Sequence, residues 1–237
     1  VCGEYDQALA LAQEGLAVAR EINDRRSIAI ALGDLGVIAR LTRNYERAER
    51  LQQESLALFQ EIRFTVSVAP ARHELAHIAY AQGEYDTAKA YLQQSAQLYA
   101  PSNNEFGMAK HHTLSGYLLR DQARHANRHE DQTEAQRHFE QALRRGLKVQ
   151  ALPLIIDALV GYASLFIERS PDTVDRATEW LLIAAHHPSS AHDTRERAQG
   201  LLSSVVANLA DDALSAMQQR AETQDLESVV EQLLAAR

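Results

Sequence analysis

His73, Glu74 and His77, in the stretch HELAH, have the residue types and the spacing for metal-assisted hydrolysis. On a helix, imidazoles four residues apart project from one face and can hold one zinc ion, while the carboxylate beside the first takes a proton from metal-bound water. That chemistry also needs a third protein ligand and an open coordination position. Tyr80 and Gly83 stand where a following glycine and a third histidine would extend the motif, and Glu84, the remaining candidate ligand, opens the next segment.

The other chemistry-bearing residues are less well arranged. The adjacent pairs His111-His112 and His186-His187 diverge on a helix and chelate poorly, so both read as solvated surface. There is no glycine-rich phosphate loop, and PSSAHD at 188–193 reads as a turn capping a helix that starts near Asp193. No nucleophile has a recognisable partner, and Trp180, beside Leu181, reads as core. The expectation is therefore no catalytic residue, no bound metal and no cofactor, with the HELAH histidines lying on a helix face in a groove or at the surface.

The elements that position these residues follow from a repeat. EYDQALALAQEGLAVAREI at 4–22 and NYERAERLQQESLALFQEI at 44–62 share a register with EYDTAKAYLQQSAQLY at 84–99. Tyr5, Tyr45 and Tyr85 are 40 apart, as are Ala8, Ala48 and Ala88, while Gly15, Ser55 and Ser95 keep a small side chain at the same step. Small residues seven apart fall on one helix face and let a neighbouring helix approach closely. Between these segments Leu35-Gly36, Leu75-Ala76 and Gly116 mark a first helix of each pair, followed on the same stripe by Ala39, Ala79 and Leu119. The pattern continues in EAQRHFEQAL at 134–143 (Ala135, Phe139, Ala142, Leu143) and RATEWLLIAA at 176–185 (Ala177, Leu181, Ala184, Ala185). Ala135 comes 47 residues after Ala88, so seven extra residues are expected to lengthen the polar stretch RHANRHED at 124–131, as a binding loop or a longer turn.

Composition agrees. Aromatics are 6 % of the 237 residues, hydrophobics 46 %, and 5 prolines and 10 glycines leave helices uninterrupted. A formal charge of −8 disfavours direct nucleic-acid binding, which needs concentrated Lys and Arg. The single Cys2 cannot form an internal disulfide, and no apolar run nears the roughly 20 residues that span a membrane, so a cytoplasmic location is expected. The chain opens inside a repeat at VCGEYD, without an initiating Met, and reads as a piece of a longer protein.

The small-large-small second helices, the Leu-Gly or Leu-Ala pair of the first helices, and the turn Gly83-Glu84-Tyr85 resemble tetratricopeptide repeats in a version of about 40 residues, over residues 3–188. The variant LGDLGVIARLTRNYERAERLQQESLALFQEI at 32–62 is similar to the C-terminal repeats of bacterial STAND signalling ATPases and multidomain transcription regulators. ALSAMQQRAETQDLESVVEQLLA at 213–235 resembles the closing segment of those regulators, with Met217 and Gln218 in place of a common aromatic pair. The resemblance implies an all-α, right-handed α-solenoid: a repeat array at 1–190, with a leading half repeat and four helix pairs, then capping helices of the same domain at 191–237. The cap is expected as helices at about 193–209, 212–220 and 225–236.

In such arrays the first helices line the concave surface. Stepping one turn either side of the core pair names Gly33, Val37 and Arg40, then His73, His77 and Tyr80, then Lys110, Thr113, Tyr117 and Arg120. A fourth set is Asp157, Val160, Ser164 and Ile167. Arg40, Lys110 and Arg120 can hold carboxylates or phosphates, and tyrosines supply rigid contact area. The alternative is that these Arg and Tyr side chains pair with acidic residues of neighbouring helices and hold no ligand. The resemblance implies a sensor region that binds a peptide, protein or small molecule in its groove and releases a parent nucleotide-binding domain. The rival readings are a constitutive scaffold or oligomerisation module and a zinc-dependent hydrolase using HELAH.

Overall fold

The computed structural model describes residues 2–126, 130–169, 171–207 and 209–235, and among them there are twelve α-helices and no strand. The fold is all-α, as the repeat spacing predicts. The chain divides into two compact units, residues 1–103 and 104–237.

The first unit contains α1 (Cys2–Glu21), α2 (Arg25–Leu41), α3 (Tyr45–Glu61), α4 (Val68–Ala81) and α5 (Tyr85–Tyr99). Each helix packs on the next, and α2 also meets α4. The small positions of the register explain how they come so close: Ala48, Ala88, Ser55 and Ser95 are completely buried. Ser55 Oγ donates to the carbonyl of Ala29 at 2.7 Å, and Gln52 Nε2 donates to the carbonyl of Gly33 at 2.8 Å, so second helix α3 is bonded to the backbone of α2. Asp24 caps α2, accepting from the backbone N–H of Arg26 and Ser27 and from Ser27 Oγ at 2.6 Å.

The helices stop at a 20-residue rhythm. Asn23, Arg43, Arg63, Gly83 and Asn103 all have positive φ, between 48° and 78°. At the first four, the next residue's N–H reaches back to close the last turn: Asp24 to Ala19, Asn44 to Ala39, Phe64 to Phe59 and Glu84 to Ala79. Glycine is found at only one of these five positions, so the rhythm is hard to see in the sequence. A side chain in this region costs roughly 1 kcal/mol or more. Arg63, exposed and with φ 55°, should therefore become more favourable as glycine. Arg63→Gly is expected to raise the stability of the first unit by about 0.5–1 kcal/mol in urea denaturation.

The second unit contains α6 (Glu105–Ala126), α7 (Glu130–Lys148), α8 (Leu152–Arg169), α9 (Pro171–His186), α10 (His192–Val206), α11 (Asp211–Thr223) and α12 (Leu226–Ala235). Successive helices from α6 to α10 pack together, α6 and α10 both meet α8, α11 lies on α9 and α12 on α7. The seven extra residues are taken up largely as helix: α6 has 22 residues where α2 has 17 and α4 has 14. Residues 127–129, the centre of the expected insertion, lie outside the described residues. The core of this unit is centred on Phe139, fully buried on α7, whose ring lies against Gly116 of α6 and Gly161 of α8. Trp180 is core as expected, stacked edge-on to Tyr162 and Phe166 at 5.7 and 5.5 Å.

Candidate functional site

The HELAH residues sit on α4, and the helix stack decides what they can do. His73 is completely buried, its ring edge-on to that of His77 at 4.9 Å. The sequence register placed His73 on the groove face beside the Leu75-Ala76 core pair; the structure corrects this. α4 is covered by α5, α3 and α2 together, so a wider arc of it is inside than the Leu75-Ala76 stripe alone. Glu74 Oε2 accepts from Arg40 Nε at 3.3 Å across the α2–α4 contact. The carboxylate that would activate water is therefore held in an ion pair, and the first imidazole is shut away from solvent. No group of three or more His, Cys, Asp or Glu side chains among the described residues is arranged to hold a metal ion. Of the expected groove residues of the first unit, Arg40, His77 and Tyr80 stay half-buried at the surface, with Gly33 and Val37 beside them on α2. The Tyr80 ring lies 6.2 Å from that of Tyr85.

In the second unit the expected groove residues have mostly been drawn inside. Lys110 is half-buried, but Thr113, Tyr117 and Arg120 are buried, as are Val160 and Ser164. Thr113 Oγ1 bonds to the carbonyl of Ala109 on its own helix at 3.1 Å. Tyr117 Oη donates toward Asp157, 2.9 Å from its carbonyl and 3.1 Å from its carboxylate. Arg197 of α10 completes the group, its Nη1 lying 2.6 Å from Asp157 Oδ1 and 2.9 Å from Tyr117 Oη. Its guanidinium carbon sits 4.5 Å from the centre of the Tyr117 ring. Arg120 donates to Ser164 Oγ at 2.9 Å and to Asp121 at 2.7 Å. Burial, above all, pushes the Tyr117 phenol well above its ordinary range, so it stays a neutral donor.

These contacts have a common cause. Tyr117 and Asp157 meet where α6 packs on α8, and α10 lays its Arg197 and Thr194 against them. Tyr117 and Asp157 thus pair across neighbouring helices, as do Arg40 and Glu74. Arg197 was missed because nothing in HDTRERAQG distinguishes it from Arg195, two residues earlier on the same helix. The usable signal was Asp157, an acidic residue in the otherwise apolar run LPLIIDALVGYASLF, which needs a cation nearby.

His111-His112 also departs from the expected solvated surface. His112 Nδ1 lies 3.1 Å from His138 Nδ1 of α7, and the three rings of His111, His112 and His138 have centroids 5.1–6.3 Å apart. Burial first, then the neighbouring His138, His111 and Arg145, depress His112 to about 3, and burial likewise lowers His138. A histidine whose folded pKa lies below its unfolded value keeps its contribution at neutral pH and loses it as pH falls below about 6.5, until the folded pKa is reached. Thermal unfolding of the second unit is therefore expected to move to lower temperature between pH 7 and pH 4. His112→Gln should flatten that slope, and an unchanged slope would show that the cluster does not titrate as described.

Two segments match the tetratricopeptide repeat family: residues 2–61 in one match and residues 68–100 in another. These segments are tetratricopeptide repeats. Both matched TPR segments lie in the first unit, where the 40-residue step is unbroken. No curated protein sequence matches the chain. Among solved structures, the crystal structure of BtubC (BKLC) from P. vanneervenii is similar, with a TM-score of 0.61 at 16 % identity, covering 98 % of this chain and 93 % of that one. At that identity the likeness shows the fold, an all-α arrangement of TPR-like helix pairs. No described helix is long and apolar enough to cross a membrane. TPR helices are packing elements, and their general role is protein–protein interaction.

Proposed function

We propose that the chain is a partner-docking TPR module whose ligand-facing residues are Arg40, His77 and Tyr80 on α2 and α4. The observation that carries this reading is a contrast in accessibility. Arg40 and Tyr80, of the types that dominate binding hot spots, stay half-buried at the surface, whereas Tyr117 and Arg120 are buried and bonded within the second unit. The Arg40–Glu74 pair keeps a guanidinium in place with its side chain partly exposed, so a ligand carboxylate can share it.

The finer reading is a cytoplasmic sensor region of a STAND-type signalling ATPase or transcription regulator, with 1–190 as repeat array and 191–237 as its cap. The similarity of residues 32–62 and 213–235 to such regulators supports it. A ligand acting as a switch there must bind the active arrangement more tightly than the resting one, and the parent nucleotide-binding domain would supply the second state. A constitutive scaffold is the second reading, favoured by the saturation of Tyr117 and Asp157 by Arg197.

Selection from a displayed peptide library, followed by titration calorimetry, tests the docking reading. Tyr80→Ala and His77→Ala are each expected to weaken a selected ligand by about tenfold or more while leaving thermal stability close to that of the parent. Ligands indifferent to both variants would reject this face.

A further inference from the structure

Away from the proposed docking face, α6 and α7 bring two imidazole nitrogens together. His112 Nδ1 of α6 lies 3.1 Å from His138 Nδ1 of α7, and both residues are half-buried, so solvent reaches them. The backbone beneath them is fixed. His112 precedes Gly116 by one helical turn, His138 precedes Phe139, and the Phe139 ring is seated on Gly116. Core packing therefore sets the spacing of the pair.

That spacing suits a chelate. Two imidazole nitrogens on one ion, each at roughly 2.0–2.1 Å, stand about 2.9 Å apart at a right angle and about 3.3 Å apart at a tetrahedral one. The 3.1 Å separation of His112 and His138 falls between the two. Burial keeps both rings neutral at pH 7, so an ion meets no competing proton. In the metal-free pair one Nδ1 carries a hydrogen and donates it to the other. When an ion takes that place, the donor ring carries its proton on Nε2 instead, and both ligands stay neutral. Nearby cations are already engaged: Arg145, whose charge acts on His112, pairs with Glu105, as does Lys148 at 2.6 Å. Glu134, exposed one turn before His138 on α7, supplies a negative charge that acts on that ring.

We propose that His112 and His138 chelate one divalent transition-metal ion, with Glu134 turning in as a third ligand and water in the remaining positions. No group of three such side chains is already in place among the described residues, so the protein supplies two fixed donors and one that moves. Imidazole nitrogens favour copper(II) over nickel(II) and zinc(II) in that geometry. An ion shared by helix positions 26 residues apart also clips α6 to α7, so binding stabilises the second unit.

The test titrates the chelator-treated full chain, carrying Cys2→Ser to remove the thiol that would reduce copper(II), with copper(II), nickel(II) and zinc(II) chlorides in turn. Thermal unfolding is read for all three and electron paramagnetic resonance for copper. One equivalent of copper is expected to raise the Tm of the second unit by several degrees, with two nitrogen donors in the spectrum and smaller rises for nickel and zinc. His112→Gln and His138→Gln should each remove one nitrogen donor and weaken copper binding by about tenfold or more. Glu134→Gln, at an exposed position, should weaken it by a smaller factor, and His77→Ala should leave it unchanged. Helicity and Tm of the metal-free variants show separately that each is folded. A Tm indifferent to all three ions would overturn the proposal, as would a copper site that keeps both nitrogens in His138→Gln or is lost in His77→Ala. Equal copper affinity in the Glu134→Gln chain would overturn the third ligand.

Discussion

Gly161→Ala is expected to destabilise the second unit by about 3 kcal/mol, at the upper end of what overpacking a core causes. A Cβ at residue 161 would fall 2.1 Å from Cε1 of Phe139, and one at residue 116 would fall 2.7 Å from the same atom. The ring is fully buried and also stacked edge-on to Tyr117 at 5.1 Å, so it has nowhere to retreat. Removing it fails in the opposite way: Phe139→Ala opens a cavity between α6, α7 and α8 and should cost about 4 kcal/mol. The pair is separable from general intolerance by compensation. In Gly161→Ala with Phe139→Leu, the smaller side chain leaves space for the added methyl, so the double variant should be more stable than the sum of the single losses allows. Urea denaturation followed by far-UV circular dichroism reads these variants and Phe139→Leu alone, and additive losses in the Gly161→Ala/Phe139→Leu cycle would mean that Phe139 and Gly161 do not share the contact described.

Arg197→Ala is expected to loosen α10 from α8 at a cost of about 2 kcal/mol. Loss of one partner from a fully buried pair costs about 3–5 kcal/mol, but the Arg197 and Asp157 side chains keep 35 % and 25 % of their exposure, so water offsets part of it. Tyr117→Phe should cost about 1 kcal/mol, because Asp157 keeps the arginine while the phenol bonds are lost. The double variant then measures coupling, expected at about 1 kcal/mol because the three groups form one network. Hydrogen exchange should locate the damage: faster exchange in 192–206 with α6 and α7 unchanged. Uniform acceleration across the second unit would instead mean that the cluster supports the whole core.

The fold was legible because the signal is translational. Ala48, Ala88, Ala135 and Ala177 repeat a small residue where two helices touch, and all four are fully buried. Any one of them is uninformative, but their spacing fixes which face of each helix is inside. Helix ends were less legible, since Arg43 and Arg63 adopt a left-handed conformation without the glycine that would advertise it. The candidate site was legible only in part, and His73 shows why. A register derived from the core pair gives the direction of a side chain but not the width of the covered arc, which depends on how many helices flank it. Tyr117 and Asp157 show the second reason: their partner Arg197 comes from 40 residues beyond Asp157, and no local pattern connects them. The cation opposite the Glu of HELAH, Arg40, lies one repeat earlier, so the motif by itself does not show the ion pair.

The claim that a partner docks on the α2–α4 face is tested most directly by hydrogen-exchange mass spectrometry of the full chain with and without a selected peptide ligand. The account predicts slowed exchange at the ends of α2 and α4, around Arg40 and 77–81, which Tyr80→Ala abolishes together with binding. Slowed exchange confined to α9, α10 or α11, with 25–81 unaffected, would contradict it.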